Sequence, residues 1–189
     1  MGSGDRPPHT GKTHGIGTGC NRTMKRTLAF RPERCLMCLS CVLACQLKAV
    51  GVEDPRDLLP AAKAPRRLSM TFVEGTPWAE CCRHCLRAPC VEACINGSLV
   101  RDEENSAVLH HAETCVGCGS CQLACPFNAL SRDEKKECMV KCNLCLEDQP
   151  PQCVLACQTG ALALSRGDGY AQEKKRNYAK EMTGDRGNG

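Results

Sequence analysis

CVGCGSCQLACP, residues Cys115 to Pro126, is the stretch on which the fold turns. Its cysteines follow one another at gaps of two, two and three residues, and proline comes next. This is the C-x2-C-x2-C-x3-C-P spacing that holds iron–sulfur cubanes. A cubane presents its iron corners within a few ångströms, so three thiolates from one tight loop each reach a corner. The fourth corner is filled from elsewhere when the last cysteine of a run starts a helix aimed at a neighbouring cluster. One run therefore predicts a partner run.

Upstream, CLMCLSCVLAC carries Cys35, Cys38, Cys41 and Cys45 at the same two-two-three spacing. CCRHCLRAPCVEAC supplies a widened second run, Cys82, Cys85, Cys90 and Cys94, with gaps of two, four and three. Cys81 replaces Cys82 only if the first gap grows to three. The third run is Cys115, Cys118, Cys121 and Cys125. Downstream, Cys142, Cys145, Cys153 and Cys157 form a fourth, with gaps of two, seven and three. Four runs of four use sixteen of the 19 cysteines and leave Cys20, Cys81 and Cys138 over. Repetition of one chemistry is a far stronger signal than a single C-x2-C.

Cysteine at a tenth of 189 residues suggests a disulfide scaffold in a short secreted chain. Residues 1–34, however, hold no apolar run fit for a signal peptide and no paired arginines, so a cytoplasmic chain with metal-bound thiolates is expected. Setting the cysteines aside, about a third of the residues are apolar and only 3% aromatic. Such a thin core needs cofactors as its interior, making binding energy into folding energy. The formal charge of +4 counts thiols as neutral. Each oxidised cubane with four thiolates adds about −2, so the basic balance compensates buried anions and predicts no nucleic-acid partner. Nor is there an apolar stretch of the roughly 18 residues that a membrane span requires.

Pattern reading predicts a short strand over 25–32, a helix over 42–50, an extended connection over 51–80 with one strand at LSMTFV, a strand pair around DEEN and a strand at ALALS. LEDQPPQ, with two prolines, is expected to loop. Residues 1–23 are expected to be a disordered tail; the polar stretch 167–189 is read as either a docking helix or a mobile tail, with mobility preferred. Trp78 is expected to anchor a small core, Arg66 and Arg67 to be solvated, and His110 and His111 to be exposed. His84, among four thiols, is expected to act on a cluster through hydrogen bonding or charge rather than as a ligand. No Walker-type loop, dinucleotide fingerprint or nucleophile–base arrangement is present.

On CRHCLRAPC, CVGCGSCQLACPFNAL and KCNLC followed by CVLAC, residues 24–165 resemble the four-cluster [4Fe-4S] ferredoxin-like electron-transfer subunits of anaerobic oxidoreductases. Ile95 and Gln158 depart from the proline such proteins often carry after the fourth cysteine. The resemblance implies an α+β fold of two ferredoxin-like modules, with small β-strands and short helices around four clusters and little other core. It implies an inner module over 76–129 and a discontinuous outer one from 24–75 and 130–166. It also implies crossed ligand sets. These are Cys82, Cys85, Cys90 with Cys125; Cys115, Cys118, Cys121 with Cys94; Cys35, Cys38, Cys41 with Cys157; and Cys142, Cys145, Cys153 with Cys45. The implied role is non-catalytic relay of single electrons between a second redox protein or carrier and a catalytic subunit of molybdenum or tungsten enzyme, carbon monoxide dehydrogenase or hydrogenase type. A free-standing polyferredoxin is the alternative; a structural zinc protein fits less well, because zinc sites usually separate their C-x2-C pairs.

Overall fold

A computed structural model describes residues 26–61, 65–102, 104–105 and 107–183; the expected tail over 1–23, with Cys20, lies outside them. The apolar segments between cysteine runs are too short for large sheets. The described residues accordingly form eight short strands in four antiparallel pairs, with five helices, three of them only four or five residues long. The result is a small α+β protein.

β1 (Thr27–Phe30) enters the first run through a 3-10 turn at Pro32–Arg34, whose Pro32 carbonyl accepts the Cys35 N–H at 3.0 Å. α1 (Ser40–Val50) leaves the run and stops at Gly51, which takes φ 82° and donates to Leu47 O. β2 (Leu68–Val73) and β3 (Thr76–Cys81) then form a hairpin. Its turn residues Glu74 and Gly75 both have positive φ, the handedness that suits the twist of paired strands. β3 delivers Cys82 to the second run, α2 (Pro89–Glu92) carries Cys90, and β4 (Leu99–Arg101) follows.

The same order then repeats. β5 (Val108–His110) enters the third run through a 3-10 turn at Ala112–Thr114, and α3 (Ser120–Ala124) leaves it. The hairpin of β6 (Leu130–Asp133) and β7 (Cys138–Lys141) delivers Cys142 to the fourth run; α4 (Gln152–Leu155) carries Cys153, and β8 (Leu162–Ser165) closes the unit. Residues 27–101 and 108–165 are two copies of one element order. The first strand of each copy pairs with the last strand of the other. β1 lies against β8 with Phe30 opposite Leu162, and β5 against β4 with His110 opposite Leu99.

Buried apolar side chains gather in two clusters. One includes Leu28, Phe30, Leu68, Leu144 and Leu162; the other includes Leu99, Val108, Leu130 and Met139. Cysteines complete both, as the thin apolar composition requires.

Three differences from the sequence reading have physical causes. Thr76–Cys81 is a second strand within 51–80, which Pro77 disguises because its missing N–H reads as a break. β6 and β7 are paired where the sequence reading assigns no element; Asp133 Oδ1 accepts the N–H groups of Lys135 and Lys136 and closes the turn. Gly167–Thr183 is a 17-residue helix, α5, not an unstructured tail, and Arg31 holds it through two hydrogen bonds to Glu173 at 2.6 and 2.5 Å.

Candidate metal centres

The cysteine loops are shaped by residues in left-handed conformation that turn peptide N–H groups toward sulfur. Leu39 and Gly119, at φ 61° and 80°, start α1 and α3 just before Cys41 and Cys121. His84 and Leu144, at φ 48° and 61°, direct their N–H groups at Cys82 Sγ and Cys142 Sγ over 3.5 and 3.3 Å. Leu162 N–H meets Cys157 Sγ at 3.2 Å and Met139 N–H meets Cys115 Sγ at 3.5 Å. Gly117 is required where it stands: at φ 63°, an added Cβ would lie 2.2 Å from Glu137 O.

The thiols fall into four neighbourhoods. Burial raises Cys41, and the charges of Cys157, Cys35 and Cys38 add to it. Cys45 is pushed to about 11 by burial first and then by Cys145, with Arg67 opposing. Cys153 rises to about 12 through burial, Cys45 and Cys145. Cys142, wholly buried, is raised well above the usual thiol value by that burial and has Cys81 and Cys45 beside it. Burial and then Cys82 raise Cys85 and Cys90, and Cys125 acts on both. Cys121 reaches about 11 through burial, followed by Cys94, Cys115 and Cys118. In every neighbourhood a cysteine from one run sits among three of another.

Two of these groups line cavities. Cys35, Cys38, Cys41 and Cys157 border about 370 Å³ of empty space together with Phe30, Met70, Ala161 and Leu162. Cys94, Cys115, Cys118 and Cys121 border about 300 Å³ together with Ser98, Leu99, His110 and Met139.

Clustered, buried thiols resist ionising together, as the upward shifts record, unless a cation joins them; a bound metal deprotonates a thiol outright. Among the described residues, no three of His, Cys, Asp and Glu converge tightly enough to grip a single metal ion. A cubane separates its four thiolates by its own width. The donors present, four thiols per site with N–H groups and small cavities beside them, fit that group. Cys38 and Cys118 are exposed, and the Ser40 and Ser120 hydroxyls, two residues on, lower them. Cys82, Cys90, Cys142 and Cys153 are buried. The sites of the first and third runs thus reach the surface, and the other two lie deeper.

The residues left over divide. Cys81 is buried and raised to about 11 by that burial, with Cys82 and Cys41 next to it. Cys138 is buried in β7 beside Cys115. Trp78 is 42% exposed with the Arg83 guanidinium 5.4 Å over its ring, so it does not anchor the core. Arg66 is exposed, as expected, while Arg67 is half-buried near Cys45. His111 is exposed beside Glu113, also as expected, but His110 is not: its Nε2 is covered and its ring lines the second cavity. Two further residues escaped the sequence reading. Ser98 is buried in that cavity, and Lys141 is buried with its ammonium donating to Val108 O and Cys142 O. The signal for all three was their alternation with Leu99, Leu109 and Val140 on short strands, a pattern too brief to assign a face.

The 4Fe-4S dicluster domain matches residues 73–167. The chain is 33% identical over 141 residues to the thiosulfate reductase electron transfer subunit PhsB of Salmonella typhi, covering 72% of this chain and 73% of that one. It is 30% identical over 178 residues to the electron transport protein HydN of Escherichia coli strain K12, covering 82% and 98%. Similarity to the iron-sulfur subunit of the nitrate-inducible formate dehydrogenase of the same strain is 32% over 146 residues, 68% of this chain and half of that one. With cysteine loops that fit cubanes and these relatives beside them, the chain belongs to the 4Fe-4S dicluster domain family of iron–sulfur proteins.

Proposed function

We propose that the chain is the non-catalytic electron-transfer subunit of an anaerobic oxidoreductase complex and holds four [4Fe-4S] clusters. The ligand sets are Cys35, Cys38, Cys41 and Cys157; Cys142, Cys145, Cys153 and Cys45; Cys82, Cys85, Cys90 and Cys125; and Cys115, Cys118, Cys121 and Cys94. The observation that carries this reading is that Cys157 shares a cavity with Cys35, Cys38 and Cys41, and Cys94 shares one with Cys115, Cys118 and Cys121, so that a run's last cysteine joins three of another. One hydrophobic cluster holds Leu28, Phe30 and Leu162 of β1 and β8 and the other Leu99 and Val108 of β4 and β5, which supports two modules, joined where Cys82 and Ala107 pack in the first.

When bound, each cluster accepts and releases one electron at a time. The residues do the rest. Buried Cys82, Cys90, Cys142 and Cys153 keep the sites of the second and fourth runs from water, with Leu144 and Val108 buried in the same clusters. Cys38 and Cys118, both exposed, bring the sites of the first and third runs to the surface, where a partner can reach them. The likeness to subunits of a thiosulfate reductase and a formate dehydrogenase supports a catalytic oxidoreductase subunit, of molybdenum or tungsten type in this reading, as one partner, and a second redox protein or carrier is the other. A cytoplasmic location completes the proposal, and among the described residues no helix is long and apolar enough to cross a membrane. A second reading, a free-standing electron carrier, draws on the likeness to HydN over 98% of that protein.

Anaerobic purification tests the assignment. Four clusters require about four irons per quartet, and a colourless or zinc-loaded protein overturns the reading. Cys125→Ser is expected to alter the cluster on Cys82, Cys85 and Cys90 in electron paramagnetic resonance; a change confined to the cluster on Cys115, Cys118 and Cys121 refutes the crossing. Copurification of a larger subunit separates the complex from the free carrier.

A further inference from the structure

The two copies of the repeat share their donors but line them with opposite chemistry. Positions are matched by counting from the cysteines. Phe30 and His110 each stand five residues before a run. Ala161 and Ser98 stand four after the last cysteine of another. Leu144 and His84 stand two after a first cysteine, Cys81 and Lys141 one before it. At the first three positions the β1·β8 side has an apolar residue and the β4·β5 side a polar side chain; at the fourth the two cross over, Cys81 packing with Leu28 and Phe30 while Lys141 bonds Val108 O and Cys142 O.

The polar members are built to act on what lies beside the thiols. Val108 N–H donates to His84 Nδ1 at 3.0 Å, so the ring proton is on Nε2. His84 Nε2, His110 Nε2 and Ser98 Oγ are covered and have no hydrogen-bond partner among the described residues. A buried polar group left so is destabilising until something beside it takes up its hydrogen bond. His110 and Ser98 face the cavity of Cys94, Cys115, Cys118 and Cys121, where the opposite cavity has Phe30 and Ala161. Lys141 is buried, and its ammonium donates to Val108 O on the β4·β5 side and to Cys142 O on the other, so it serves both.

Resting on the ligand sets above, we infer that these residues split the potentials of the wire: the clusters of Cys82, Cys85, Cys90 and Cys125 and of Cys115, Cys118, Cys121 and Cys94 accept electrons more readily than the other two. Donors and cations stabilise the negative charge that an electron adds, and hydrogen bonds to sulfur raise cluster potentials. Peptide N–H bonds to sulfur occur on both sides and largely cancel. Arg67 and Arg83 oppose the effect near Cys45 and Cys81, but both are half-exposed and therefore screened. Ile95 and Gln158 reverse the pattern at exposed positions, where water dominates. Electrons accordingly settle on the β4·β5 side.

Redox titration of the iron-loaded full chain, followed by electron paramagnetic resonance, tests this. His84→Leu and His110→Phe are each expected to lower a different midpoint by about tenfold in the reduced-to-oxidised ratio at fixed potential, about 59 mV for a one-electron couple. The mirror variant Phe30→His is expected to raise a third midpoint. Midpoints that stay put or move upward in the histidine variants overturn the inference while the cluster reading stands. Where a histidine variant fails to load, Phe30→His decides, and an unmoved midpoint there overturns it. A wild-type chain with fewer than four clusters overturns the reading beneath it instead.

Discussion

The β1·β8 pair and the β4·β5 pair are the same construction made at different distances along the chain. β4 and β5 are neighbours, joined by a short turn in which Asp102 Oδ1 accepts the Glu104 N–H at 2.8 Å. β1 and β8 are the two ends of the described repeat, with Thr27 opposite Ser165. Closing a long loop costs more chain entropy than closing a short one, though the cost grows only logarithmically. The inner pair can therefore form locally, while the outer pair depends on everything between. The lining residues separate the same two regions again, polar inside and apolar outside.

Removing the iron is the largest perturbation of that comparison. With so few apolar residues, the chelated chain is expected to lose cooperative thermal unfolding altogether, as seen by circular dichroism. During chelation, hydrogen exchange is expected to open β1·β8 before β4·β5; the reverse order breaks the comparison. Next in size are the matched core leucines. Leu162→Ala and Leu99→Ala, at 3% and 2% exposure, are each expected to cost about 2–5 kcal/mol in chemical denaturation of the loaded protein. A loss of outer-pair exchange protection only in Leu162→Ala sharpens the distinction.

Gly117→Ala follows. It strains a left-handed residue and drives Cβ into Glu137 O, for about 1–3 kcal/mol, whereas Met37 at the matching position already has a side chain at φ 53° and is expected to tolerate alanine. Equal effects in a thermal melt refute the difference between the two loops. The smallest effect concerns α5. Arg31 holds Glu173 below the usual carboxylate range, so their attachment is fully present above the ordinary glutamate pKa and is lost as pH falls through the depressed one. Amide exchange in α5 is expected to speed up in acid and in Arg31→Ala, leaving β4·β5 untouched. His111, at the position matching Arg31, has Glu113 beside it instead.

Much of this was legible in the residues because cluster chemistry is local. Three thiolates from one loop need fixed gaps, and such gaps survive as spacing. The strand at LSMTFV, the strands flanking DEEN and the closing ALALS strand were legible through turn residues and short alternation. β3 was not, since Pro77 hides a strand whose edge needs no N–H there, and α5 was not, since its polar sequence is held by one distant arginine. His110 read as exposed because a histidine after two apolar residues carries no sign of what will cover it.

The sequence by itself thus determined the spacing: four runs of four cysteines, with gaps that suit the cubanes they are proposed to hold. Tertiary structure alone decided which strand closes which end, and which face of each closing strand turns inward. Those outcomes depend on residues far apart in the chain meeting in space. That meeting makes Phe30 and Ala161 walls of one cavity and His110 and Ser98 walls of the other.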